Sequence, residues 1–332
     1  MILTQTPFRV SFFGGGTDYG AWVEAHGGAV LSTAINRHCY LSCRRLPPFF
    51  PHRYRIAYSQ IETVTDIVDI QHPAVRAVLE YMGFHEDALE IHYDADLPAR
   101  CGLGTSSSFT VGLLQALLAF RGRSMPKKEL AQLAIHLEQK VMCETVGSQD
   151  QTAAVYGGFN RIDFHRDHSI SVTPVIAPPG RVQLLQDHLM LFFTGFSRIA
   201  SEIAKAQVAS LKEKESVLHA MRKMVDEAWD ILQNEKLDIR AFGELLHTAW
   251  LQKKSIASNV STDAIDRIYE RARAAGAVGG KLLGAGGGGF MLLFAEPSKQ
   301  QAVKEALSDL LHVPFAFEPD GSRVVIYQPN GF

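Results

Sequence analysis

Apolar residues recur along this chain with two periods, and the switching between them sets out the elements. Short runs rich in β-branched and aromatic residues read as strands at 9–13, 29–36, 39–44, 54–58 and 89–93. Residues 73–81 and 127–146 carry the helical period instead, the second placing Leu130, Leu133, Ala134, Leu137 and Val141 on one face. Two further strands, 159–163 and 171–176, lead to Pro178-Pro-Gly180, the best linker in the chain. Beyond it the pattern predicts a strand at 189–194, one long helix over about 198–252 and a helix over about 262–275. A strand at 290–294, a helix near 299–310 and a strand at 323–327 follow. Mixed elements on both sides of the linker predict two α+β domains, residues 1–178 and 179–332.

Composition narrows the function classes. The 332 residues are 46% hydrophobic and 20% charged, with a formal net charge of −2, an ordinary globular make-up with room for two cores. That charge gives no electrostatic footprint for nucleic acid or an anionic membrane surface. No apolar run reaches the ~18 residues of a membrane span, and the first residues lack a basic-then-apolar leader, so the cytoplasm is the expected compartment. Cys39, Cys43, Cys101 and Cys143 neither suggest a disulfide framework nor complete a zinc site, and read as buried reduced thiols.

Four clusters carry candidate chemistry. In Leu97-Pro-Ala-Arg-Cys-Gly-Leu-Gly-Thr-Ser-Ser-Ser108 a tight glycine loop runs into an apolar helix, presenting bare N–H groups and hydroxyls at a helix mouth. Such a mouth suits a phosphate group, although no lysine precedes the hydroxyls as in a Walker A loop. Gly279-Gly-Lys-Leu-Leu-Gly-Ala-Gly-Gly-Gly-Gly289 contains G-x-G-x-x-G, but it is expected to follow a helix and precede a strand, the reverse of a dinucleotide fingerprint. It reads either as a close backbone approach or as a flexible hairpin. Phe12-Phe-Gly-Gly-Gly-Thr-Asp-Tyr19, directly after Arg9, could set an arginine against a phosphate and Asp18 against a sugar hydroxyl, or be a capped strand turn. Glu138 lies off the apolar stripe of its helix, which by itself describes a solvated glutamate. Asp150, in Gly147-Ser-Gln-Asp-Gln151, is expected beyond the helix end in a polar turn.

Taken in order, Pro7-Phe-Arg-Val-Ser-Phe-Phe-Gly14, the Leu97–Ser108 loop and Lys281-Leu-Leu-Gly-Ala-Gly-Gly-Gly-Gly289 resemble the three motifs of the GHMP kinases. That family includes galactokinase, homoserine kinase, mevalonate kinase and phosphomevalonate kinase, and the resemblance covers almost the whole chain. It implies a ribosomal-protein-S5-like N-terminal domain and a ferredoxin-like C-terminal domain with the site between them. It also implies ATP, held by Pro98, Arg100, Gly102, Leu103, Gly104, Thr105, Ser106, Ser107 and Ser108, with Mg²⁺ on Ser106 and Glu138. Asp150 would be the base facing the acceptor hydroxyl and Arg9 its cationic neighbour near the transferring phosphate. Gly15, Gly16, Thr17, Asp18, Gly284, Ala285, Gly286 and Gly287 would line the acceptor side.

The Gly14-Gly-Gly-Thr-Asp loop, Gly147-Ser-Gln-Asp-Gln, Thr194-Gly-Phe-Ser-Arg198 and Trp250-Leu-Gln-Lys-Lys-Ser255 look like the heptose 7-phosphate kinase branch of that family. The resemblance implies transfer to the anomeric C1 hydroxyl of a sugar that already carries a phosphate. Such a sugar needs cations, and Arg198, Lys253 and Lys254 are the candidates, against the plainer reading of a solvated helix face. The alternatives are a fucokinase-like enzyme for a free sugar and a catalytically silent sugar-binding regulator. Assembly into a homo-oligomer is left open.

Overall fold

A computed structural model describes residues 1–99, 101–195, 214–257 and 259–329. Twelve strands among them form two sheets. The first sheet is built from β1 (Ile2–Phe13), β2 (Gly28–Arg45), β3 (Tyr54–Ala57), β4 (Ile61–Val64), β5 (Leu89–Ala95), β6 (Phe159–Phe164), β7 (Ile170–Pro174) and, from the far end of the chain, β12 (Arg323–Tyr327). Its order is β12-β1-β2-β5-β3-β4, with β6 and β7 added on the far side of β2. β2, expected as two strands, is continuous. Its first part, Gly28–Thr33, pairs with β6 and its last part, Cys39–Arg45, pairs with β5, while β1 runs along its other edge.

The second sheet is wholly antiparallel and contains β8 (Leu189–Gly195), β9 (Ala277–Leu282), β10 (Gly289–Ala295) and β11 (Leu311–His312) in the order β11-β8-β10-β9. Counted along the chain that is 4-1-3-2, the ferredoxin-like arrangement. β9 went unread in the sequence because glycines at 279 and 280 deplete the strand signal. The last strand, β12 (Arg323–Tyr327), crosses back to pair with β1 in the first sheet.

Helices α1 (Gly20–His26), α2 (Pro73–Tyr81), α3 (Thr105–Phe120), α4 (Lys127–His136), α5 (Gln149–Tyr156) and α6 (Arg181–Asp187) precede the second sheet's first strand. α7 (Glu215–Gln233), α8 (Arg240–Ile256), α9 (Asp263–Ala274) and α10 (Gln300–Ala306) follow it. The single helix expected over 198–252 is therefore broken within its described part. Asn234 leaves the helix, the buried Arg181 takes up the carbonyls of Ile231 and Leu237 at 2.7 Å, and Asp238 accepts from the Arg240 N–H to start α8. One core joins the two sheets: Phe8, Phe12, Phe13 and Leu31 from the first pack with Leu191, Phe242, Phe290 and Leu292 of the second half. The rings of Phe12 and Phe13 meet Phe242 edge-on at 5.4 and 5.0 Å, fixing the floor from which the glycine loops emerge.

Candidate active site

The phosphate-type loop ends at Gly104, whose φ of +73° caps α3 in a conformation that strains any other residue. Thr105, Ser107 and Ser108 turn inward and Ser106 outward. Ser108 donates to the Pro7 carbonyl at 2.8 Å and ties the helix mouth to β1. Arg100 lies outside the described residues; Pro98 and Gly102 are half-buried at the loop rim.

Arg9 is buried beneath this loop and organises it. Its Nε and Nη2 donate to the two oxygens of Asp150, both at 2.8 Å, and its Nη1 donates to the Gly102 carbonyl at 2.7 Å. Its own N–H donates to the Leu103 carbonyl at 3.0 Å. The paired, parallel geometry is the strong form of an Arg–carboxylate contact. A Cβ on Gly104 would come within 3.2 Å of the Arg9 side chain and 3.5 Å of the Asp150 carboxyl, so the loop closes directly over the pair. Asp150 lies beyond the end of the preceding helix as expected, but in the first turn of α5 and not in a polar turn, and its side chain stays partly open.

Glu138 is fully buried rather than solvated. The helix expected over 127–146 passes into a π-helical turn at Leu137–Val141, where the Met142 N–H reaches back to the Leu137 carbonyl at 2.8 Å. Glu138 stands four residues after the buried Ala134 and seven after the buried Ala131, so the ordinary helical period already places it on the inner face, toward α3. There its Oε2 accepts from Ser107 Oγ at 2.8 Å and from Gln151 Nε2. Burial pushes the Glu138 carboxyl up to about 7, against these hydrogen bonds. Glu138 Oε1 and Gln151 Oε1 are buried with no hydrogen-bond partner. Together with the Ser107 hydroxyl they make an all-oxygen donor set that suits a hard divalent cation such as Mg²⁺. The loop hydroxyl that meets Glu138 is thus Ser107, while Ser106 faces outward. Gln151 was missed in the sequence, although it directly follows Asp150 in the quoted motif.

The acceptor side is the turn after β1. Gly14 and Gly16 hold φ values of +81° and +98°, and Thr17 donates to the Gly14 carbonyl at 2.8 Å. Asp18 points inward, accepting from the N–H groups of Gly16 at 3.1 Å and Gln149 at 3.2 Å. Burial, and secondarily the charge of Asp150, raises its carboxyl to about 6. Gly147 is bare because a Cβ there would fall 1.8 Å from Asp18 Oδ2. A Cβ on Gly15 would make only ordinary contacts, 3.8 Å from Gln149 and from Ser11. Gln149, hydrogen-bonded to Ser11 at 2.8 Å, is a second residue that sequence reasoning passed over.

The third glycine cluster is the loop of the β9–β10 hairpin, so it follows a strand and not a helix. Its glycines serve close approach: a Cβ on Gly284 would lie 2.4 Å from Gly102 Cα, and one on Gly286 would lie 2.6 Å from the Val260 carbonyl. Ala285 sits half-buried between them, and Gly287 half-buried just beyond. Two buried lysines brace the hairpin. Lys281 donates to the Phe12 carbonyl at 2.8 Å; burial first, then Arg9, lowers its ammonium to about 7. Lys253, expected as a cation for a substrate phosphate, is buried and donates to the carbonyls of Leu282 and Gly284. Lys254 pairs with Asp266 at 2.7 Å. Both expected phosphate cations on α8 are therefore engaged within the protein, and Arg198 lies outside the described residues.

Comparison with known proteins agrees with this geometry. The model of the GHMP kinases N terminal domain matches residues 69–158, and that of the GHMP kinases C terminal domain matches residues 218–313. The D-glycero-alpha-D-manno-heptose 7-phosphate kinase of Campylobacter jejuni is 31% identical over 317 residues, covering 92% of this chain and 93% of that protein. The bifunctional fucokinase/GDP-fucose pyrophosphorylase of Arabidopsis thaliana is 25% identical over 89% of this chain, a match to 30% of that longer protein. The crystal structure of a D-glycero-D-manno-heptose 1-phosphate kinase from Bacteroides thetaiotaomicron superposes with a TM-score of 0.80 at 25% identity, covering 99% of this chain and all of that one. With the three glycine motifs converging on one Arg–Asp pair, and a relative at this identity spanning nearly all of both chains, the protein belongs to the GHMP kinases.

Proposed function

We propose that the protein transfers the γ-phosphoryl group of ATP to the C1 hydroxyl of D-glycero-D-manno-heptose 7-phosphate, forming the 1,7-bisphosphate for surface-polysaccharide synthesis in the cytoplasm. The observation that carries the reading is the Arg9–Asp150 pair, set between the helix mouth of α3 and the buried Asp18. The 31% identity to the Campylobacter jejuni heptose 7-phosphate kinase supports the choice of sugar.

Each residue has a role that follows from its contacts. Each Asp150 oxygen uses one lone pair to accept from Arg9, which leaves its outer lone pair free to take the acceptor proton. Three of its five N–H donors are used on Asp150 and Gly102, leaving two to meet a phosphoryl oxygen. The N–H groups at the start of α3 face the phosphate chain, and Asp18 accepts a sugar hydroxyl. Bound on Ser107, Glu138 and Gln151, Mg²⁺ would supply charge neutralisation of the triphosphate.

A second reading, kinase action on a free sugar, is favoured by one finding. Lys253 and Lys254 are both engaged inside the protein, so neither is free for a substrate phosphate. A coupled ADP-release assay with heptose 7-phosphate, free heptose, mannose, fucose and galactose separates the readings. Preference for heptose 7-phosphate in kcat/KM supports the proposal; preference for a free sugar selects the second reading; sugar binding without turnover would identify a silent regulator and overturn both.

A further inference from the structure

A second cluster of metal-ligating side chains lies on the outer face of the acceptor-side wall, where α1 meets α7. His26 ends α1, and Glu215 and His219 lie one turn apart at the start of α7. The Nε2 atoms of His26 and His219 converge on the same oxygen, Oε1 of Glu215, at 3.5 and 3.4 Å. The ligand atoms of all three lie within 4.8 Å of one another. Bonds of ~2.0–2.2 Å in a tetrahedral site place neighbouring ligand atoms about 3.3–3.5 Å apart, and each imidazole nitrogen stands at that separation from Glu215 Oε1.

The cluster is braced as well as close. The buried Trp22 lies against His26 at a 31° tilt with ring centres 4.2 Å apart and meets the His219 ring edge-on at 5.0 Å. The two imidazoles stand 5.0 Å apart and nearly perpendicular. Beneath them Trp22, Leu218, Met221 and Ile256 form a small core of their own. The C-terminal end of α1 also favours a cation at His26.

We propose that His26, Glu215 and His219 bind one Zn²⁺-class transition-metal ion that pins α1 to α7, with a fourth position open to solvent. Two imidazoles and one carboxylate select Zn²⁺, Co²⁺ or Ni²⁺. Mg²⁺ demands an oxygen octahedron, so this site is chemically distinct from the all-oxygen set at Glu138. Its position gives it leverage on the acceptor side. α1 follows the Asp18 loop directly, and Leu218, between the two α7 ligands, lies 3.3 Å from where a Cβ on Gly16 would stand.

The test uses the full chain, free of any affinity tag, stripped with chelator and titrated with Co²⁺ in buffer containing Mg²⁺. The expected result is one equivalent bound, with visible absorption bands of four- or five-coordinate Co²⁺, quenching of Trp22 fluorescence and displacement by Zn²⁺. His26→Ala and His219→Ala are expected to lose the bands and the quenching. Both are expected to keep their circular dichroism and their turnover with Mg·ATP in the absence of added transition metal. Zn²⁺ is expected to raise the melting temperature of the unaltered protein and not of either variant. Absence of bands, or bands that persist in both variants, would overturn the proposal. Bands lost instead in Cys143→Ser would assign the metal to that exposed thiol and overturn it equally.

Discussion

Arg9 and Asp150, 141 positions apart in the chain, are joined by two parallel 2.8 Å hydrogen bonds, and the same guanidinium grips the carbonyl of Gly102. The first motif therefore holds the candidate base and the phosphate-type loop with one side chain. Position of the base and position of the loop are one mechanical variable here.

Asp150→Asn is expected to lower kcat by about 10²–10⁴-fold, the usual worth of a positioned base. Affinity for ATP should change little, because Asn keeps the size of Asp150 and an oxygen that can accept from Arg9, so the loop that Arg9 grips stays in place. Steady-state kinetics with equilibrium nucleotide binding checks this, and near-normal turnover would remove Asp150 from the role of base.

Asp18 gives a pH dependence whose sign is fixed. Its folded-state carboxyl is raised to about 6 from the ordinary value of 3.8, so the native protein holds this proton more tightly than the unfolded chain. The contribution of Asp18 to stability is therefore fully present below about pH 4 and lost as pH rises to about 6. Melting temperatures of the unaltered protein and Asp18→Asn, measured across pH 4–7, should converge or cross in favour of the variant as pH increases. Parallel curves would show that Asp18 titrates normally.

Gly284→Ala should separate two motifs at once. The residue has a φ of +73°, and the new methyl would sit 2.4 Å from Gly102 Cα. Strain and overpacking of this kind cost about 1–3 kcal/mol. Denaturant unfolding should show that loss, with a fall in kcat through displacement of Gly102 from Arg9.

Lys253→Met is expected to reduce kcat/KM by the same factor on a phosphorylated and an unphosphorylated sugar, since Lys253 holds the hairpin carbonyls of Leu282 and Gly284. A loss confined to the phosphorylated sugar would restore its role as a phosphate ligand. The two substrates need only be compared side by side.

Much of this architecture was legible in advance. α2 at Pro73–Tyr81 and β12 at Arg323–Tyr327 carry clean periodicity and match residue for residue. The glycine motifs were visible because backbone approach excludes every other residue, as the Gly102–Gly284 contact shows. What escaped was set by tertiary context. Glu138 shares the buried face of Ala131 and Ala134, and only its partners Ser107 and Gln151 on other helices show why a carboxylate stands there. Lys253 sits at the end of an amphipathic helix where lysine is ordinarily solvated, and only the hairpin folding over it reveals its carbonyl partners. The break between α7 and α8 depends on Arg181, far away in sequence, which takes up the carbonyls freed there.

The pairing of β12 with β1 constrains the order in which the chain can fold. Ile2 faces Tyr327, so the sheet that carries Arg9 has its edge completed only after residue 327 has been made. During synthesis β1 waits with an unpaired side, the kind of edge that recruits foreign strands. Contacts of such long separation also slow folding. The kinase should consequently gain activity late, after its last strand docks, and a chain released before residue 323 should aggregate instead of surviving as a soluble ATP-binding half.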